Sequence, residues 1–210
     1  MYHQKRYYRK ELFMTEGLLI IEGPISSNSL LEFAFHEDLT SFRPSVQQHK
    51  ALIEIAELPE GRIIIARENN TIIGYVTFLY PDPLERWSDG QIEQLIELGA
   101  IEVISKYRGC GVGKNLLTLS MMDDAIEDYI IITTEYYWHW DLKGSGLNVW
   151  EYRKMMEKMM NAGGLQWYAT DDPEICSHPA NCLMARIGNR VEQTTIEKFD
   201  HLRFANRFLY

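Results

Sequence analysis

Residues 99–117 read GAIEVISKYRGCGVGKNLL, and this stretch decides the fold. The run 99–104 is aliphatic and β-branched and reads as a strand. It leads to Arg108, Gly109, Cys110, Gly111, Val112 and Gly113, which set three alternating glycines between that strand and a helix opening at Val112. Glycine adopts positive φ at no steric cost and lets a ligand approach the backbone closely. The free N–H groups and the dipole of the following helix attract an anion. Position and composition together point to a phosphate-bearing ligand. A P-loop would need glycine at Arg108 and a hydroxyl residue at Asn115, and a dinucleotide fingerprint would need its third glycine one residue later.

Working outward, the spacing predicts a long helix over 112–128, with Leu116, Leu117, Leu119, Met121, Met122, Ala125 and Ile126 on its apolar side. A buried-type strand follows at 129–134, so strand, glycine loop, helix and strand form a βαβ crossover. Upstream, 17–22 is β-like, and Ser26 or Asn28 caps a helix carrying Leu30 and Leu31. Pro44 opens a second helix, and 62–68 with 71–80 make a hairpin turning at Asn69 and Asn70. Residues 91–97 read as a helical turn. Downstream, helices are expected at 148–161 and about 179–187. The order implies an α/β fold with a mixed sheet. Residues 1–210 are expected to form a single domain, with 1–16 an N-terminal extension and 136–210 an elaborated C-terminal part.

The chain has 210 residues, 46% of them apolar, enough for a sizeable core. Its formal charge of -9 argues against nucleic acid as the main partner. Lys5, Arg6, Arg9 and Lys10 make a basic patch that reads as a solvated end. Glu11, Thr15, Glu16 and Gly17 interrupt any signal-peptide core, and no run is long and apolar enough to span a membrane. Cys110, Cys176 and Cys182 signal neither a disulfide framework nor a zinc site, so a reducing cytoplasm is expected.

The pattern Arg108-x-x-Gly111-x-Gly113 resembles the signature of the GCN5-related N-acetyltransferase (GNAT) superfamily, and 103–117 is similar to its strand, turn and helix. The resemblance implies the GNAT fold: a mixed, mostly antiparallel central sheet with helices on both faces. It implies acetyl-CoA as cosubstrate and no metal. It implies that backbone amides of Arg108, Gly109, Cys110, Gly111, Val112, Gly113 and Lys114 hold the pyrophosphate. Val103 and Ile104 would pair with the pantetheine arm, and Asn181 would face the cofactor. Over its whole length the chain is similar to a group of protein lysine acetyltransferases of bacilli that are understood to inactivate acetyl-CoA synthetase. That implies the synthetase as partner and a link to acetoin and acetate metabolism.

Acetyl transfer to lysine needs a neutral amine, whereas free lysine has pKa ~10.4. A carboxylate in a dry cleft can serve as general base. Glu102 is the leading candidate, because strand alternation sets it on the opposite face from Ile101 and Val103, immediately before the cofactor edge. Glu97 and Glu135 are further candidates. A backbone N–H near Val103 or Ile104 would face the oxyanion. Cys110 reads as a bystander thiol, and the general acid stays unassigned. The aromatics at 136–140 suit either an acceptor groove or a core cluster, and Met155, Met156, Met159 and Met160 read as a core stripe. A small-amine acetyltransferase and a non-catalytic acetyl-CoA sensor that binds a partner are the alternative functions. The sequence does not give the oligomeric state.

Overall fold

A computed structural model of the chain describes residues 3–15 and 17–208. In chain order the elements are β1 (Tyr8–Met14), β2 (Gly17–Gly23), α1 (Ser27–Glu32), β3 (Ala34–Phe35), α2 (Ser45–Glu57), β4 (Arg62–Glu68) and β5 (Thr71–Leu79). There follow α3 (Arg86–Asp89), β6 (Leu95–Val103), α4 (Val112–Ser120), β7 (Ile130–Glu135), α5 (Leu142–Ser145) and α6 (Val149–Asn161). The chain closes with β8 (Gln166–Tyr168), α7 (Pro173–Cys176), β9 (Cys182–Ile187) and α8 (Gln193–Arg203). The fold is mixed α/β, with a mostly antiparallel arrangement of strands. The structure contains two compact units, 1–80 with 98–126 and 81–97 with 127–210.

In the first unit the strands run in the order β1, β2, β4, β5 and the C-terminal part of β6. β1 pairs antiparallel with β2 from Tyr8↔Gly23 to Met14↔Gly17, so residues 8–14 of the expected extension form an edge strand. Asn69 adopts φ of +52° in the tight turn joining β4 to β5, a conformation asparagine tolerates. Ile63, Ile64, Ile65 and Ala66 are all buried, so both faces of β4 are covered. Helices α2 and α4 both pack on β4 and β5. Gly74 matters at the β5–β6 pairing: a Cβ there would meet the Glu102 carbonyl oxygen at 2.9 Å. Its absence lets β6 lie close.

The predicted helix 112–128 is shorter in the structure. α4 ends at Ser120, and a separate 3-10 turn spans Asp124–Asp128. Asp123 ends the helical run, because its carboxylate accepts the Ala125 N–H and pairs with Arg62. The basic patch is partly tied down: Lys5 Nζ donates to the Leu58 carbonyl, and Lys10 Nζ to Asn115 Oδ1.

In the second unit the N-terminal residues of β6 pair parallel with β7, β7 pairs antiparallel with β9, and β9 with β8. Its core gathers Trp87, Leu95, Ile130, Ile132, Leu183 and Phe199. The helix expected at 179–187 is instead β9. Cys182, Leu183, Met184 and Ala185 are buried in succession, and a strand covered on both faces shows the same unbroken apolar run as a buried helix. Residues 91–97 likewise lead straight into β6 at Leu95. The helix expected at 148–161 is α6, opened by a capping box in which Asn148 and Glu151 satisfy each other's amides. Its methionine stripe is not a core stripe: Met160 is buried and Met155 is exposed.

Candidate active site

The end of β6 carries the residues that the glycine loop extends. Ile104 N–H donates to the Ile73 carbonyl at 3.0 Å, closing β6 onto β5. That amide is therefore engaged within the sheet. Strand alternation turns the Val103 amide and carbonyl the other way. The Val103 carbonyl accepts Arg108 Nε at 3.0 Å, so the arginine side chain braces the turn from its own base.

Within the loop, Gly109 and Gly111 adopt φ of +76° and +81°. The first α-helical bond runs from Asn115 N–H to the Gly111 carbonyl at 3.0 Å. The amides of Gly111, Val112, Gly113 and Lys114 precede that bond and find no partner inside the helix. The Arg108 and Cys110 amides turn inward, donating to Ser105 at 3.2 Å and Tyr107 at 3.4 Å. Tyr107 is buried, and its hydroxyl donates to Glu68 at 2.8 Å, anchoring the turn to the hairpin. Lys114 is exposed at the helix opening. The result is a cradle of amides at a positive helix end, suited to an anionic group.

Glu102 is 5% exposed. Its Oε1 accepts the backbone amides of Thr40 at 2.9 Å and Ser41 at 2.8 Å, and its Oε2 accepts the Tyr75 hydroxyl at 2.8 Å. Burial, with the Glu102 charge next, holds the Tyr75 phenol far above its usual pKa, so it stays a donor.

In the second unit, Glu97 stands in β6 between Ile96 and Leu98 and pairs in register with Ile132. Burial, followed by the charges of Glu85 and Asp82, pushes its carboxyl up to about 8. Glu135, at the end of β7, is pushed by burial to about 7, against one stabilising hydrogen bond from Trp140 Nε1 at 3.1 Å. Asn181 is buried, and its amide oxygen accepts the Tyr137 N–H at 3.0 Å while its nitrogen donates to the Glu174 carbonyl at 3.2 Å. It thereby fastens the 136–140 aromatic turn to α7. In that turn Trp140 is buried, whereas Trp138 is exposed and stacks on Tyr136.

Residues 32–144 match the model of the acetyltransferase (GNAT) family. The chain belongs to the GNAT family. It is an acetyl-CoA-dependent N-acetyltransferase, as its amide cradle and crossover anticipate. The chain is 70% identical over all 210 residues, and over the whole of the relative, to the acetoin utilization protein AcuA of Bacillus licheniformis. It is 66% identical, again over the full length of both, to AcuA of Bacillus subtilis. The crystal structure of an acetoin utilization protein from Exiguobacterium sibiricum shares 58% identity and a TM-score of 0.96, covering 99% of this chain and 98% of that one.

For this GNAT enzyme the loop's fit to a pyrophosphate is open to test. A Cβ at Gly111 would meet nothing closer than Asn115 Nδ2 at 3.8 Å, so the left-handed backbone is the constraint there. Gly111→Ala is expected to cost about 1–2 kcal/mol of stability. It should also raise the Kd for acetyl-CoA at least about tenfold, because relaxing φ re-aims the adjacent amides. Calorimetric titration on the folded variant reads this, and an unchanged Kd would remove the loop from the binding site.

Two features of the candidate carboxylates were not visible in the sequence. The partners of Glu102 lie some sixty residues upstream for Thr40 and Ser41, and 27 upstream for Tyr75. The raised carboxyls of Glu97 and Glu135 depend on burial; the only sequence signal for Glu97 is a lone charge in the apolar run Leu95, Ile96, Glu97, Leu98. Among the described residues no group of three or more His, Cys, Asp or Glu is placed to hold a metal ion. Among the same residues no helix is long and apolar enough to cross a membrane.

Proposed function

We propose that this protein acetylates a lysine of acetyl-CoA synthetase, inactivating it and so restraining acetate activation in acetoin and acetate metabolism. The observation that carries this is the 70% identity, over the full length of both chains, to a protein of acetoin utilization. The three cysteines are free thiols, in keeping with a cytoplasmic enzyme.

Acetyl-CoA supplies the activated thioester. The amides of Gly111 to Lys114 hold its pyrophosphate against the helix dipole, and the Val103 edge takes the pantetheine arm. Glu97 is the general base of this reading, since burial pushes its carboxyl up to about 8. It removes a proton from the lysine ammonium, directly or through water. The freed amine attacks the thioester carbonyl, the C–N bond forms as the C–S bond breaks, and the proton that the attacking nitrogen sheds passes to the CoA thiolate, which leaves as a thiol. Glu102, the base expected from strand position, has both carboxylate oxygens occupied by three donors, which favours a holding role. Asn181 supports the aromatic turn in this scheme, with both ends of its amide engaged.

The test is mass spectrometry of purified acetyl-CoA synthetase after incubation with the protein, with and without acetyl-CoA. A gain of one acetyl group on a lysine, dependent on both, is the expected result. No gain, despite measured acetyl-CoA binding, would move the activity to another amine or leave a sensor that binds its partner without turnover.

A further inference from the structure

The segment between β3 and α2, residues 36–44, contains no helix or strand, yet it is held at defined points. Leu39 is fully buried, and His36 N–H donates to the Ile72 carbonyl at 3.1 Å. The next two amides, of Thr40 and Ser41, converge on one oxygen of Glu102. Tyr75 fixes the other oxygen. Two consecutive backbone amides on one buried carboxylate are charge-assisted bonds that set the path of the loop, whatever its side chains do. Glu102 is followed directly by Val103, the edge assigned above to the cofactor. One residue thus joins the cofactor strand to this loop.

Beyond the tether the loop faces solvent. Phe42 is 50% exposed and Val46, in the first turn of α2, 82% exposed. Glu37 and Asp38 are exposed carboxylates, against the guanidinium of Arg43 in the same segment and the His36 imidazole, whose Nδ1 lies 3.9 Å from Asp38. An exposed aromatic ring in the same loop as two carboxylates complements a lysine-bearing segment: the carboxylates attract the ammonium, and the ring takes the aliphatic stem.

We infer that Glu102 is a positioning residue, which fastens loop 36–44 to β6 so that Phe42, Glu37 and Asp38 receive the lysine-bearing segment of the acceptor protein. The inference rests on the acetyl-transfer reading above. Glutamine at this position preserves the tether, because its amide oxygen still accepts from Thr40 and Ser41 while its nitrogen donates to the Tyr75 oxygen. Alanine removes it.

Hydrogen exchange followed by mass spectrometry on the full chain reads the tether directly. Protection of the Thr40 and Ser41 amides is expected in wild type and Glu102→Gln and is lost in Glu102→Ala. Unprotected amides in wild type overturn the tether. Steady-state kinetics with purified acetyl-CoA synthetase as acceptor read the role. Glu102→Ala and Phe42→Ala should raise KM for the synthetase about tenfold, with KM for acetyl-CoA changed less than about threefold. Glu102→Gln should recover most of that loss. Should Glu102→Ala fail to fold, Glu102→Gln and Phe42→Ala still decide. A fall in kcat of a hundredfold in Glu102→Gln with protection retained makes Glu102 the base and overturns the inference. A rise in KM for acetyl-CoA instead assigns the loop to the cofactor and overturns it equally. If wild type does not acetylate the synthetase at all, the acceptor assignment falls with the proposed function, while hydrogen exchange still decides the tether.

Discussion

Glu97→Gln is expected to lower kcat by roughly a hundredfold to a thousandfold, the usual contribution of a positioned general base. The isosteric amide keeps the shape of the strand and removes only the proton acceptor. The pH profile carries the sharper expectation. A base must be deprotonated to act, and burial with the Glu85 and Asp82 charges pushes the Glu97 carboxyl up to about 8. Wild-type kcat should therefore rise with pH through about 8 and level above it, and the variant should lack this limb. A variant that retains the limb would transfer the role elsewhere, with Glu135 and its carboxyl at about 7 next in line. Stability moves in the opposite sense. Both carboxyls have folded pKa values above the reference 4.5, so the stability they contribute is full below that value. It is lost as pH rises through about 7 for Glu135 and about 8 for Glu97. Wild type should therefore gain activity over the same pH range in which these groups cease to favour the fold, and Glu97→Gln should be more resistant to denaturant than wild type at pH 9.

What the sequence reveals divides along a physical line. The loop at 108–113 was legible because glycines at positive φ before a helix leave a trace in composition, and the hairpin at 62–79 because β-branched runs flank an asparagine turn. The family followed from those few residues. β9 was misread because Cys182 to Ala185 is buried on both faces, and an unbroken apolar run does not report its own period. The end of α4 was misplaced because its cause, the attraction of Asp123 to Arg62, spans 61 residues. Glu102 shows the same limit within the site. Its place on the strand was legible, but its three donors come from segments whose proximity only the folded chain establishes. Strand position alone favours Glu102 as the base, whereas its three hydrogen bonds favour the holding role proposed for it.

Asp123→Ala is expected to be the most destabilising single change among those considered. Arg62 and Asp123 side chains are 2% and 6% exposed and meet at 2.8 Å. The same Asp123 oxygen accepts the Arg6 N–H at 2.9 Å, its other oxygen accepts the Ala125 N–H at 3.1 Å, and Arg62 also donates to the Gln4 carbonyl. One pair thus fastens the N-terminal segment, the first residue of β4 and the chain leaving α4. Whether such a pair outdoes an apolar replacement is a separate matter from the cost of breaking it, because desolvating both charges offsets much of their attraction. Breaking it leaves a guanidinium buried without its counter-charge, at about 3–5 kcal/mol. For a chain of this size that corresponds to a fall in Tm of roughly 6–20 °C. Far-UV circular dichroism is the right probe, since all five tryptophans, at 87, 138, 140, 150 and 167, lie in the other unit. Asp123→Asn keeps the acceptor oxygen and should lose less. Pairing Arg62→Met with Asp123→Leu removes both charges together and should recover a large part of the loss. A loss below about 1 kcal/mol in Asp123→Ala would mean that water or the Gln4 carbonyl suffices to hold Arg62, and the pair would then be a consequence of the fold.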